Sequence, residues 1–493
     1  MSAAPVPEGV RDGGVLRAAL AYLVTGFATF LLMGLLGLHM RLDQGGLMTL
    51  SPTWFYRIMT LHGSGMVAGT MLATMGGLAA AVGQTVRLSA RALWTAFVVY
   101  MLGMGFVVMA TTLGGFAAGW TVLYPLPALG HVWTLWAAVA AFVGLLFVTL
   151  GFTFYCFHIA RRIAVERRGL GNALGWSLWR KTEPSDHRRP GSAVEIIATV
   201  VTLQGVFTGL VGAAYVVPVL LKDAGLVAAL DPLLEKNLAY LFGHQLANLN
   251  IYFAAAFVYA LVAEHTGRPW PASRHVAVAW NLVLLLVLLP WPHHLYQDFA
   301  QPTFMPVAAE AVSFLVGIPS FLVTIFGALG RIHRSGMRWS VPMIFVALGL
   351  WGWVTGGLGA VLDSVIQVNQ ITHNTLWVPA HFHTYYLLGA ASFTWAYLYD
   401  LVTRLAGVPE RRASRVAAWL YGVGGAGFVL MFFLSGAAGV PRRFAAHVPQ
   451  WQPFARVAVP FVLLLALALA WLAVDVLARL RLAWAGAETR ARG

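Results

Sequence analysis

Apolar residues in this chain gather into long blocks, and polar residues are confined to short stretches between them. A helix rises about 1.5 Å per residue, so about twenty apolar residues cross a hydrocarbon layer of about 30 Å. Twelve blocks reach that length, near 15–39, 53–82, 91–116, 131–159, 193–220, 237–263, 275–291, 305–330, 340–366, 379–404, 414–438 and 455–483. The pattern predicts an all-α integral membrane protein of twelve transmembrane helices in one domain, residues 15–484, flanked by tails at 1–14 and 485–493. The first block follows Arg11 and Arg17 and is too long for the apolar part of a cleaved signal, so it reads as the first span.

Composition agrees with that pattern. Of 493 residues, 59% are hydrophobic and only 10% are charged, too few to coat a soluble domain. The formal charge of +14 raises nucleic acid as a partner, but the placement of the basic residues argues against it. Arg161, Arg162, Arg167, Arg168, Arg180, Lys181, Arg188 and Arg189 crowd one loop. Arg268 and Arg274, then Arg331, Arg334 and Arg338, then Arg404, Arg411, Arg412 and Arg415 follow at every second connection. The loops between are nearly free of cations apart from Arg41, Arg57, Lys222, Lys236 and the pair Arg442–Arg443. That alternation is the positive-inside pattern. It predicts a multi-pass protein of the cell (inner) membrane, with both termini cytoplasmic and no nucleic-acid partner.

Six of the fifteen histidines then fall at one depth, in the outer half of the membrane. His62 lies early in span two, His244 early in span six, His293 and His294 end span seven, and His381 and His383 open span ten. Ionisable groups at membrane depth are unusual without a task, and neutral imidazole is a common ligand for heme iron and copper. His381 and His383 diverge by about 200° on a helix, which suits one metal on each face rather than a shared one. His293 and His294 stand beside Pro290 and Pro292, where unwinding would let both rings reach one ion with His244 as a third ligand. Taken singly, each of these histidines reads better as a packing or interfacial residue. His39, His131, His158, His187, His265, His275, His333 and His447 lie in loops or near span ends and are read that way.

Ordered motifs carry a resemblance over essentially the whole chain. Residues Tyr56 to Gly63, Gly119 to Pro125, Gly243-His244, Trp291-Pro292-His293-His294, Ala380-His381-Phe382-His383 and Gly439 to Phe444 resemble those of subunit I of the heme–copper oxidases. His373 to His383 and Ile318-Pro319-Ser320 look most like the B-type oxygen reductases. The resemblance implies two hemes and one copper ion. His62 and His383 would be axial ligands of a low-spin heme, and His381 would hold a high-spin heme. His244, His293 and His294 would hold the copper, and Arg442 and Arg443 the heme propionates. A lone cysteine, Cys156, makes neither a CxxCH heme attachment nor a two-thiolate copper site. Electrons are therefore expected from a separate subunit carrying heme c or a two-copper centre, docked on the outer face; membrane lipid and a small gas, NO or O2, complete the partners.

The chain departs from that family in one telling place. Oxygen reductases of the A and B types carry a redox tyrosine four residues after the first copper histidine, where this chain has Asn248. Tyr252 lies too far along span six and Tyr296 just past the histidine pair, so neither is a good substitute. Leu246, Val323 and the acid-free Gly83 to Arg87 occupy positions of the family's proton paths, which predicts weak or absent pumping. Loss of the tyrosine resembles nitric oxide reductases, so NO reduction is the leading expectation and O2 reduction the alternative. A transporter or an inactive heme-binding relative ranks lower. The glutamates that accompany non-heme iron in the familiar NO reductases are also missing, which favours copper over iron. Asn248 and Gln245 read equally well as hydrogen-bond partners of a bound substrate or as packing residues.

Overall fold

The computed structural model describes residues 13–119, 132–179 and 191–492. The Trp120 to Pro125 part of the loop motif, His131 and His187 lie outside those residues. Every regular element described is helical, with one isolated antiparallel bridge, Thr375 to Pro441. Seven helices need no qualification: α1 Gly13–Gln44, α2 Pro52–Val82, α3 Ala90–Thr112, α4 Leu135–Glu166, α5 Ala193–Asp223, α6 Pro232–Thr266 and α7 Arg274–Leu286. Then come the composite run α8, Phe304–Ile332, and the helix α9, Val341–Ser364. The run α10 spans 377–406, and α11 Arg412–Ala437 and α12 Gln452–Arg492 complete the chain. Helix α12 continues to Arg492 rather than ending near 483.

Among the described residues, eleven helices are long and apolar enough to cross a membrane, one fewer than the twelve expected. The exception is α10, where block 379–404 was read as one helix. It is built from an α segment Trp377–His383, a π segment Thr384–Ala391 and an α segment Ser392–Ala406. No single piece reaches a span, although the helical path is continuous. The π turn is held from outside: Tyr421 of α11 donates its hydroxyl to the Leu387 carbonyl at 2.5 Å. A second π segment, Leu322–Phe326, interrupts α8.

Large apolar side chains remain on the outside of the bundle, among them Leu210, Leu285 and Leu467 at 63–70% exposure. Such a surface belongs in lipid, and the chain is a multi-pass membrane protein. Inside, small residues let backbones approach as they do between membrane helices. A Cβ added at Gly26 of α1 would lie 2.5 Å from the Gly69 carbonyl of α2, and one at Gly103 of α3 would lie 2.5 Å from the Gly144 carbonyl of α4.

Few charges are buried, and two of them, Asp475 and Arg479, pair with each other. Asp475 of α12, 1% exposed, accepts from the Tyr399 and Ser414 hydroxyls at 2.6 Å each and from Arg479 Nε at 3.2 Å. Arg479, 2% exposed, also donates to the Val408 and Pro409 carbonyls. This group joins α10, α11 and α12. Asp475→Ala leaves Arg479 as an uncompensated buried charge, which costs about 3–5 kcal/mol. The thermal midpoint in detergent is expected to fall clearly, and less for Asp475→Asn; an unchanged midpoint for Asp475→Ala would contradict the account.

Candidate functional site

All six predicted histidines line one cavity of about 1420 Å³, larger than the roughly 300–1,000 Å³ of a pocket for one small ligand. The cavity lies toward the end of the bundle that carries the connections 45–51, 296–303 and 438–451. The histidines divide into a facing pair, a triad and a single ring.

His62 of α2 and His383 of α10 form the pair. Their ring planes are within 17° of parallel and their centroids are 6.2 Å apart. His62 donates Nδ1–H to the Met33 carbonyl of α1 at 2.7 Å, and His383 donates Nδ1–H to the Pro379 carbonyl one turn back, also at 2.7 Å. A carbonyl only accepts, so the proton of each neutral ring sits on Nδ1 and each Nε2 keeps its lone pair. Two metal–nitrogen bonds of about 2 Å plus two half-rings span about 6 Å, which the observed separation matches.

The triad is His244, His293 and His294. The α-helical part of α7 stops at Leu286, and both neighbouring histidines lie in a 3₁₀ turn, Trp291–Leu295. Pro290 and Pro292 have no N–H to continue the ladder, so the chain leaves the α-helix and both rings swing to one point. His293 Nε2 lies 3.2 Å from His294 Nε2, and His244 Nδ1 lies 3.3 Å from His294 Nε2. One ring nitrogen from each residue lies within 4.8 Å of the others. Nitrogens bound to one ion at about 2.0–2.1 Å in tetrahedral or trigonal array sit about 3.3–3.6 Å apart. The triad is therefore already shaped for a metal ion, and three neutral imidazoles suit copper, zinc or iron.

His381 is the single ring. It packs beside Gly359 of α9, where an added Cβ would lie 3.1 Å from its Nδ1, and its ring centroid is 6.2 Å from that of Tyr385. Arg442 and Arg443 line the rim of the same cavity. The bridge at Pro441 and the bond from Arg442 N–H to the Asn374 carbonyl tie their loop to the start of α10. Burial and the adjoining Arg443 push Arg442 down to about 10, and it remains a cation near neutral pH. Burial and the same two arginines push His373, also on the rim, down to about 4, so it is neutral there. The rim is thus cationic and fits carboxylates.

The structure places the polar residues next to the triad as follows. Gln245, fully buried, donates to the Val287 carbonyl of the α7 segment at 2.6 Å and does not line the cavity, because one residue past His244 is a different helix face. Asn248 does line it, with its carboxamide 3.0 Å from His244 Nε2. Beside Val323, the π turn of α8 carries a buried polar residue, Thr324, which hydrogen-bonds the Tyr259 hydroxyl at 2.9 Å. Sequence reasoning also passed over Ser313, 2.9 Å from His293 Nδ1, and Tyr240, whose ring lies 5.8 Å from that of His294. Tyr240 stands one turn before His244, a spacing that alone marks it as a neighbour of the site.

Comparison with known proteins agrees with this geometry. Residues 17–464 match the family "Cytochrome C and Quinol oxidase polypeptide I". The chain belongs to that family, subunit I of the heme–copper oxidase superfamily. Cytochrome c oxidase subunit 1 of Thermus thermophilus is 27% identical over 68% of this chain and 66% of that protein. A heme–copper oxidase subunit I+III of Aeropyrum pernix is 26% identical over 88% of this chain and 53% of its own length. The chain thus spans two thirds or less of the length of these relatives. A heme–copper terminal oxidase dimer solved by cryo-EM shares the fold, with a TM-score of 0.77, 18% identity, and coverage of 95% of this chain and 84% of that one.

The paired rings and the triad fit the groups for which the superfamily is named. Space beside His62 is as important as its tether: an added Cβ at Gly37 of α1 would lie 2.8 Å from His62 Cε1. Gly37→Val is expected to displace the ring and to alter the heme bands of the reduced-minus-oxidised spectrum. An unaltered spectrum would show that His62 has freedom the structure does not allow it.

Proposed function

We propose that this chain is the catalytic subunit of a respiratory terminal reductase that converts nitric oxide to nitrous oxide, 2 NO + 2 e⁻ + 2 H⁺ → N2O + H2O. It sits in the cell membrane, crosses it twelve times with α10 as the tenth crossing, and keeps both termini inside and the metal sites in the outer half. His62 and His383 hold a low-spin heme, His381 a high-spin heme, and His244, His293 and His294 a copper ion, with Arg442 and Arg443 on the propionates. When bound, the high-spin heme and the copper supply the two electrons and the place where NO gathers.

The observation that carries this reading is Asn248. Its carboxamide, not a phenol, meets His244 Nε2 at 3.0 Å. Tyr296 turns its hydroxyl away to the Ser364 carbonyl at 3.0 Å. A carboxamide gives up neither an electron nor a proton near neutral pH. Two-electron reduction of NO needs no amino-acid radical, whereas breaking the O–O bond calls for a further electron and proton. A triad with no carboxylate ligand supports copper over iron. Electrons reach the site from a separate subunit carrying heme c or a two-copper centre, docked over the rim where Arg442 and Arg443 lie.

O2 reduction to water is the second reading, and Tyr240 favours it. That phenol lines the cavity beside His294, and relatives such as that of Thermus thermophilus are named cytochrome c oxidases. An anaerobic NO electrode run beside an oxygen electrode on one reduced sample separates the two. Rapid NO loss with N2O formation and slow oxygen uptake is expected, and Tyr240→Phe should leave NO turnover within a few-fold. Rapid oxygen uptake that Tyr240→Phe abolishes, with negligible NO turnover, would establish the second reading instead.

A further inference from the structure

We propose that Lys236 and Asp298 are positioning residues: their ion pair clamps the chain beyond the histidine pair onto the outer end of α6 and so sets the spacing of the triad. The proposal rests on the triad being a metal centre, and it holds whether NO or O2 is the substrate.

The triad is assembled from two segments. His244 comes from α6, and His293 and His294 come from the 3₁₀ turn Trp291–Leu295. The hydrogen bonds of a 3₁₀ turn are poorer than those of an α-helix, so so short a turn is held in place by what flanks it. On one flank, Gln245 of α6 donates to the Val287 carbonyl at 2.6 Å. On the other, the chain returns to the start of α6. Lys236 Nζ lies 2.5 Å from Asp298 Oδ2, and Gln301 donates Nε2–H to Asn237 Oδ1 at 2.7 Å. The same amide group reaches Asp298 Oδ2 at 3.4 Å, and the Ala300 N–H donates to Asp298 Oδ1 at 3.1 Å. The loop is thus folded around one carboxylate, which Lys236 ties to the helix.

The register of α6 carries this tie to the triad. Asn237, Tyr240 and His244 stand at i, i+3 and i+7, on one face of the helix. Each meets the same facing segment: Asn237 meets Gln301, the Tyr240 ring lies 5.8 Å from that of His294, and His244 Nδ1 lies 3.3 Å from His294 Nε2. The link from the clamp to the turn is short, because the Asp298 N–H donates to the carbonyl of Leu295, the residue after His294, at 2.9 Å. A displaced Asp298 therefore displaces the histidine pair relative to His244. Neither Lys236 nor Asp298 lines the cavity, so whatever they do for a metal passes through the histidines. Their side chains are 30% and 13% exposed, so water competes for the pair only in part.

The test uses the full chain with its native subunits, as wild type, K236M, D298N and the double variant K236M/D298N. Each is dialysed against graded chelator at low salt and its copper per heme is measured by elemental analysis, with the heme spectrum as the check on folding. K236M and D298N are each expected to release copper at about two- to fivefold lower chelator concentration than the wild type, the range that a partly exposed ion pair supplies. The double variant should lose no more than the single ones, because either change alone opens the clamp. Salt of about 1 M, which shortens the screening length to about 3 Å, should narrow the gap between wild type and D298N. Should one single variant lose its hemes, the other serves in its place. Wild-type retention in the single variants would overturn the proposal alone. So would a double variant whose loss is the product of the two single losses, or a gap that salt leaves unchanged, since the two residues would then act separately or by bulk. A wild type without copper or any other metal would overturn the metal-centre reading as well.

Discussion

A hydrogen bond from a ring nitrogen to a fixed oxygen is the interaction on which this molecule's chemistry depends. An imidazole in an apolar bundle has two nitrogens and free rotation about two bonds, so by itself it specifies no ligand direction. Here His62 is tied to the Met33 carbonyl, His383 to the Pro379 carbonyl and His293 to Ser313. Each tie consumes the Nδ1 proton and turns the other nitrogen into the cavity. The oxygens that do this come from helices already packed for other reasons, so the ligand geometry is inherited from the bundle. Close approach of α1 to α2 at Gly26 and Gly69 brings Met33 within reach of His62.

Regular helices alone would not build the site. An unbroken α7 would carry His293 and His294 about 100° apart around its axis, pointing at different neighbours. Two prolines end that helix and the 3₁₀ turn gathers both rings. In α10 the π segment begins directly after His383, which separates the register of the ligand-bearing turn from that of the packed helix Ser392–Ala406. π turns often accompany functional sites for this reason. Irregular backbone at membrane depth is tolerable because protein surrounds it.

The spans and the six histidines were legible in the sequence because they rest on long-range regularities: apolar block length, loop charge and shared depth. Departures from helical regularity were not. Block 379–404 reads as one helix because a π insertion leaves no mark in hydropathy, and only the bond from Tyr421 shows what holds it. Thr324, beside Val323, lies in a second π turn that hydropathy marks no better. Gln245 was adjacent to a ligand in sequence, yet its side chain faces α7. Ser313 is a small polar residue in an apolar helix, and nothing in its neighbours tells of the histidine that arrives from the preceding span. Tyr240 had the right spacing from His244 and was the one site neighbour open to sequence reasoning.

The central claim is that six imidazoles in one cavity hold two hemes and one further metal. Heme and metal stoichiometry of the purified protein tests it most directly, by pyridine hemochrome and elemental analysis on the same sample, corrected for hemes on any attached subunit. The account predicts two hemes and one copper per chain. One heme per chain, or two hemes with no third metal, would contradict it.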